Sequence, residues 1–223
     1  MQKNEKCKFA TTVKKIYDRY KKGFVFEDYR MNKIIENGIK EIFTLIYTSL
    51  GFSLCLAILF MFAYLYVKEK GLKDTVKMWI GQFRQNRQFR GTFFLALYCA
   101  MVAFRTLLNR NLWMNPLSNV MGGWWIYNSK GEFTAEAFLN LVMLMPLTFL
   151  IFFYHGEQIF PEKKLFKILL LSVKISFFTS ISIEFLQLMM RLGTVQISDI
   201  IYNTLGGVFG GIIYYLVGTE HLP

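Results

Sequence analysis

The sequence predicts an all-α membrane protein, a bundle of five transmembrane helices preceded by a basic N-terminal tail. Three observations predict it. Of 223 residues, 54% are hydrophobic. That apolar content is gathered into five long blocks, each near the ~20 residues that cross a hydrocarbon core. Charged residues fall mainly between the blocks, at the ends of the would-be spans.

Residues 1–41 are polar, basic and aromatic, too polar to span and without the short apolar core of a signal peptide. They suit either a short amphipathic helix on a membrane surface or a loosely ordered tail. Residues 42–91 comprise the first span, Ile42 to Val67, and a basic connection carrying Lys68, Lys70, Lys73, Lys77, Arg84, Arg87 and Arg90. Trp79, Ile80 and Phe83 make part of that connection amphipathic, as for a helix in the headgroup layer. Residues 92–217 hold four more spans: Thr92–Leu108, Ala137–Tyr154, Leu165–Met190 and Ile197–Val217. The loop between the second and third contains Trp113, Trp124, Trp125 and Tyr127, an aromatic density that suits the membrane interface. Asn115-Pro116-Leu117 and Gly122-Gly123 keep it from being helical. Pro146 falls inside the third span, where neighbours must satisfy the carbonyl it frees.

The formal net charge is +11. In a chain with five apolar spans that charge reads as topology-setting flanks facing anionic lipid, and no nucleic-acid partner is expected. Lys and Arg are concentrated in the first and third connections between spans. These basic segments are the one from Lys68 to Arg90, between the first and second spans, and the one around Lys163, Lys164 and Lys167, between the third and fourth. The positive-inside rule places both in the cytoplasm, the N-terminus outside and the C-terminus inside. The three cysteines and two histidines show no ligand spacing, so neither metal nor cofactor is expected.

Ser180 to Gly211 carries the chemistry. Glu184, Gln187 and Arg191 recur at i, i+3 and i+7 and predict one polar helical face. Ser198, Asp199 and Asn203 open the next span, where Ser198 or Asp199 suits an N-cap. Ionisable groups at membrane depth are costly and point to a functional site. A structural ion pair of Glu184 with Arg105 or Arg191 is the alternative. Gly206-Gly207 and Gly210-Gly211 form overlapping small-xxx-small patterns, which predict close packing of the last helix.

The combination resembles the VanZ-like family of small bacterial membrane proteins. The residues that match are Arg105 followed by Asn115-Pro116-Leu117; Asn140 and Pro146-Leu147; Ser180, Glu184, Gln187 and Arg191; Ser198-Asp199; and Asn203, Gly206, Gly207 and Gly210. Thr148 departs from the pattern, which often has Gly there. The resemblance implies a multi-pass protein of the bacterial plasma membrane that modulates susceptibility to teicoplanin-type antibiotics. The expected ligand-binding set is Arg105, Asn115, Asn140, Glu184, Gln187, Arg191, Ser198, Asp199 and Asn203, facing outward. The expected partners are membrane lipids and a lipid-linked wall precursor or lipoglycopeptide. The second reading is a membrane enzyme acting on a polyprenyl- or lipid-linked wall precursor. Glu184 or Asp199 would then be its general acid or base and Arg105 or Arg191 would hold a phosphate.

Overall fold

The computed structural model describes residues 35–63, 65, 72–124, 135–160 and 164–219. Residues 1–34, with most of the basic tail, lie outside this range, as do Val67, Lys68, Lys70, Trp125 and Tyr127. The chain divides into two compact units, Met1–Glu41 and Ile42–Pro223, and the packing and the site below belong to the second.

Five helices among the described residues are long and apolar enough to cross a membrane. The first, α1 (Ile35–Ala63), begins seven residues before the apolar block. Hydropathy marks where lipid begins, and the helix runs back from there through Asn37-Gly38 despite the low helix propensity of that pair. Ser49, Ser53, Ala57 and Met61 recur every four residues and form its buried stripe. The short amphipathic α2 (Leu72–Gln85) starts with Asp74 and ends with Arg84, charges that complement its dipole. Trp79 stacks on Phe62 and Phe83, and both Trp79 and Phe83 meet Phe93 edge-on. Lys73 and Lys77 stay exposed on the opposite side.

Asn86 separates α2 from α3 (Arg87–Ala103). Its side-chain oxygen accepts the N–H groups of Gln88 at 2.9 Å and Phe89 at 3.1 Å, an N-cap that lets a second helix start at once. Arg90 donates to the carbonyls of Arg84 and Phe83 at 2.9 and 3.2 Å, closing the end of α2. The last turn of the span, Phe104–Leu108, widens into a π-helix.

The third span is divided at Leu144 into α4 (Glu136–Met143) and α5 (Met145–Ile159). Pro146 has no N–H to continue the ladder and crowds the preceding turn. The exposed carbonyls find other donors: Tyr98 Oη donates to Met143 O at 2.6 Å and Leu144 N–H turns back to Val142 O. The span runs to Ile159, five residues beyond the expected Tyr154, since no breaker intervenes before Pro161.

The span α6 (Leu165–Met190) packs along α7 (Ile197–Thr219), which also lies against α4 and α5. The contact face of α6 is Ser172, Ser176 and Ser180, all fully buried. Gly206, Gly207, Gly210 and Gly211 face it and α4–α5 so closely that an added Cβ would overlap Leu141 O, the Ser176 side chain, Met145 O or Ser172 Oγ, respectively. Thr148, the departure from the family pattern, is fully buried and donates to Gly207 O at 2.7 Å. It adds a hydrogen bond between helices where glycine would add none.

Candidate functional site

The serine stripe of α6 does not stop at Ser180. One further turn places Glu184 on the same line, and Gln187 follows it. Both point into the bundle and are 4% and 3% exposed. A carboxylate at this depth needs donors, and the turn after α6 supplies one. Gln196 N–H donates to Glu184 Oε2 at 3.0 Å. The Arg110 guanidinium is a charged neighbour.

The α6–α7 turn is shaped by Arg191. It ends the helix with φ 55° and ψ 43°, in the left-handed region. Its N–H bonds Leu188 O and the next N–H, of Leu192, bonds Gln187 O, which satisfies the terminal carbonyls. This conformation carries the Arg191 side chain off the helical face and leaves it exposed. The expected polar face therefore ends at Gln187.

Gln187 reaches across to the π-turn that follows α3. Its Nε2 donates to Thr106 O at 2.9 Å. The π-turn explains why that carbonyl is available. Asn109 N–H bonds Phe104 O, and the helix ends immediately after, so Thr106 O is left among the terminal acceptors. In the same turn Arg105 donates to Leu139 O of α4 at 3.4 Å.

Asp199 stands in the first turn of α7, where the helix dipole favours an anion. Asn140, buried on α4, hydrogen-bonds its carboxylate, and Glu136, Arg110 and Arg105 are its charged neighbours. Ser198 is fully buried and donates to Gln196 Oε1 at 3.4 Å. Asn203 lies one turn deeper. Its Nδ2 donates to Ser180 Oγ at 2.9 Å, while its Oδ1 is buried without a protein partner.

Over these groups lies the loop that follows the π-turn. Trp113 N–H donates to Arg191 O, Val195 N–H to Pro116 O and Ile197 N–H to Val120 O, at 2.8, 2.9 and 2.8 Å. Tyr202 Oη adds a bond to Trp124 O at 2.8 Å. Gly122 adopts φ 71°, and a Cβ there would strike Ser198 Oγ. The loop is thus fastened to the α6–α7 turn, backbone to backbone.

Of the expected residues, Arg105, Asn140, Glu184, Gln187, Ser198, Asp199 and Asn203 stand at one end of the bundle in this hydrogen-bonded region. Arg191 borders it through its backbone. Asn115 is exposed on the covering loop, where its carbonyl accepts Ser118 N–H at 3.1 Å. Sequence reasoning missed Arg110, Gln196, Thr106 and Glu136. Thr106 and Gln196 act through backbone atoms, which leave no mark in residue type. Arg110 did leave one: a second arginine five residues beyond Arg105. No group of three or more His, Cys, Asp or Glu side chains among the described residues could hold a metal.

What this geometry defines is a multi-span helical membrane protein with two carboxylates seated at one bundle end, each on a hydrogen-bond donor and both near Arg110. The chain belongs to the VanZ/LLP1 family, whose profile matches residues 50–218. No curated protein and no solved structure matches it.

Proposed function

We propose that this protein works in the bacterial plasma membrane as a modulator of susceptibility to lipoglycopeptide antibiotics of the teicoplanin type, with the Glu184–Asp199 end facing outward. One observation carries the reading. Two acidic groups and two guanidiniums are gathered at one end of an otherwise apolar bundle, where uncompensated charge is expensive. Membership of the VanZ/LLP1 family supports a cell-envelope setting. The orientation is supported by Lys73, Lys77, Arg84, Arg87, Lys164 and Lys167, which lie at the opposite ends of the spans.

Catalysis on a polyprenyl- or lipid-linked precursor is the second reading, favoured by the pairing of carboxylates with Arg105 and Arg110. Against it, Glu184 and Asp199 are each engaged by a protein donor, and neither lines the cavity beside Arg105. The non-catalytic role is therefore preferred.

Glu184→Gln tests the site. The amide keeps the size and can still accept the Gln196 N–H, but the charge is gone. Antibiotic susceptibility and membrane abundance are measured on the same cells. Loss of the protective effect at normal abundance is expected. An undiminished effect at normal abundance overturns the site. Loss that merely follows falling abundance makes Glu184 a structural residue.

A further inference from the structure

We infer that the loop from Leu108 to Trp124 is itself a membrane-binding surface, its apolar side chains seated among the acyl chains of the leaflet at its end of the bundle. The partner is the lipid bilayer. The inference holds whichever leaflet that is, so it is independent of the antibiotic-linked role.

Leu112, Met114 and Met121 are 79%, 95% and 62% exposed, and Trp113, Leu117 and Trp124 are exposed in the same segment. Exposed apolar groups gathered this closely mark a lipid or protein contact. Two features select lipid. Residues 108–124 include no Asp or Glu and a single cation, Arg110, a charge balance that suits a layer of lipid phosphates. The apolar surface also continues the exposed apolar faces of the spans. Leu108, the last residue of its span, is exposed, as are Met189 and Met190 at the end of α6 and Ile197 and Ile201 at the start of α7.

The backbone suits that setting as well. Main chain beside hydrocarbon must find its hydrogen-bond partners within the protein. Leu112 pairs with Leu192 in an antiparallel bridge. Ser118 N–H and Gly122 N–H close turns on Asn115 O and Asn119 O, both at 3.1 Å. Asn111, Asn115, Ser118 and Asn119 keep exposed polar side chains, so the loop is amphipathic and fits the boundary between headgroups and acyl chains, not the bilayer centre. Val195 and Ile197, whose N–H groups bond Pro116 O and Val120 O, flank Gln196, the donor to Glu184 Oε2. The depth of the loop in the leaflet thereby sets the level at which Glu184 lies.

Depth-dependent quenching tests this on the full chain reconstituted in phosphatidylglycerol–phosphatidylcholine vesicles. Single cysteines in a cysteine-free background carry an environment-sensitive fluorophore. Met114 and Met121 are so exposed that Met114→Cys and Met121→Cys remove little packing. Both are expected to show blue-shifted emission, strong quenching by phosphatidylcholine bearing a nitroxide high on its acyl chain, and weak quenching by iodide admitted to both faces. Ser118→Cys should show the reverse preference, and Phe178→Cys, exposed at the middle of α6, should be untouched by iodide. Quenching of Met114→Cys and Met121→Cys by iodide as strong as that of Ser118→Cys overturns the inference, because the loop then stands in water. Shielding of both positions from iodide and nitroxide lipid alike also overturns it, since a second copy or another protein would then cover the loop.

Discussion

Gly207 and Ser176 face one another across the α6–α7 contact, and exchanging their bulk predicts a specific energetic signature. A methyl on Gly207 would overlap Ser176 Cβ and Oγ and come to 3.3 Å from Thr148 Cγ2. Overpacking of this severity costs about 3 kcal/mol, the upper end of its usual range. The exchange also recovers about 1 kcal/mol of helix propensity. Gly207→Ala alone should therefore destabilise by about 2 kcal/mol. Ser176→Gly alone should cost about 0.5–1 kcal/mol, for propensity and a small void. In the double variant the new methyl occupies space the serine has vacated, so stability should return to within about 1 kcal/mol of wild type. The cycle should give a favourable coupling of about 2 kcal/mol. Gly206→Ala is the internal control. Its obstacle is the Leu141 carbonyl, whose carbon would be 2.8 Å from the added Cβ. Main chain cannot be trimmed, so Ser176→Gly should not relieve it. Equilibrium unfolding in mixed micelles measures all six proteins, the wild type and five variants. Additivity of Gly207→Ala and Ser176→Gly within about 0.5 kcal/mol would refute the reasoning. Rescue of Gly206→Ala by Ser176→Gly would refute it equally.

Three further outcomes are expected. Arg191→Gly should raise stability by up to about 1 kcal/mol, since glycine adopts φ 55° without the Cβ penalty; reduced function in that stabler protein would assign a working role to the arginine side chain, and full function would restrict Arg191 to shaping the turn. Tyr98→Phe should cost about 1–3 kcal/mol because it strips the donor from Met143 O at the Pro146 break; an unchanged melting temperature would mean that water or another donor reaches that carbonyl. In a cysteine-free background, an impermeant thiol reagent on intact cells should label Ser118→Cys and spare Lys73→Cys. The reverse pattern would invert the proposed orientation.

The fold class was legible because lipid imposes a simple rule. A segment must be apolar for about twenty residues and satisfy its own backbone, and five blocks of this chain do so. Leu165–Met190 and the span Ile197–Val217 have the boundaries their composition predicts. The small-residue packing of α7 was legible too, because glycine at four-residue spacing permits a close approach that few other residues allow. Glu184, Gln187, Asp199, Asn140 and Arg105 stood out because polar groups are rare at such depth.

Other features depend on the path of the backbone. Arg191 belongs to the Glu184 face by spacing alone, yet a left-handed residue at the helix end turns it away. The π-turn at Phe104–Leu108 adds one residue to a turn without any mark in composition, and so decides where Arg105 points and why Thr106 O awaits Gln187. Gln196 reached the site through its N–H, which every residue except proline possesses. Periodicity reports which side chains share a face of a regular helix. It is silent where the helix changes pitch or stops, and in this protein the polar site is built at two such places.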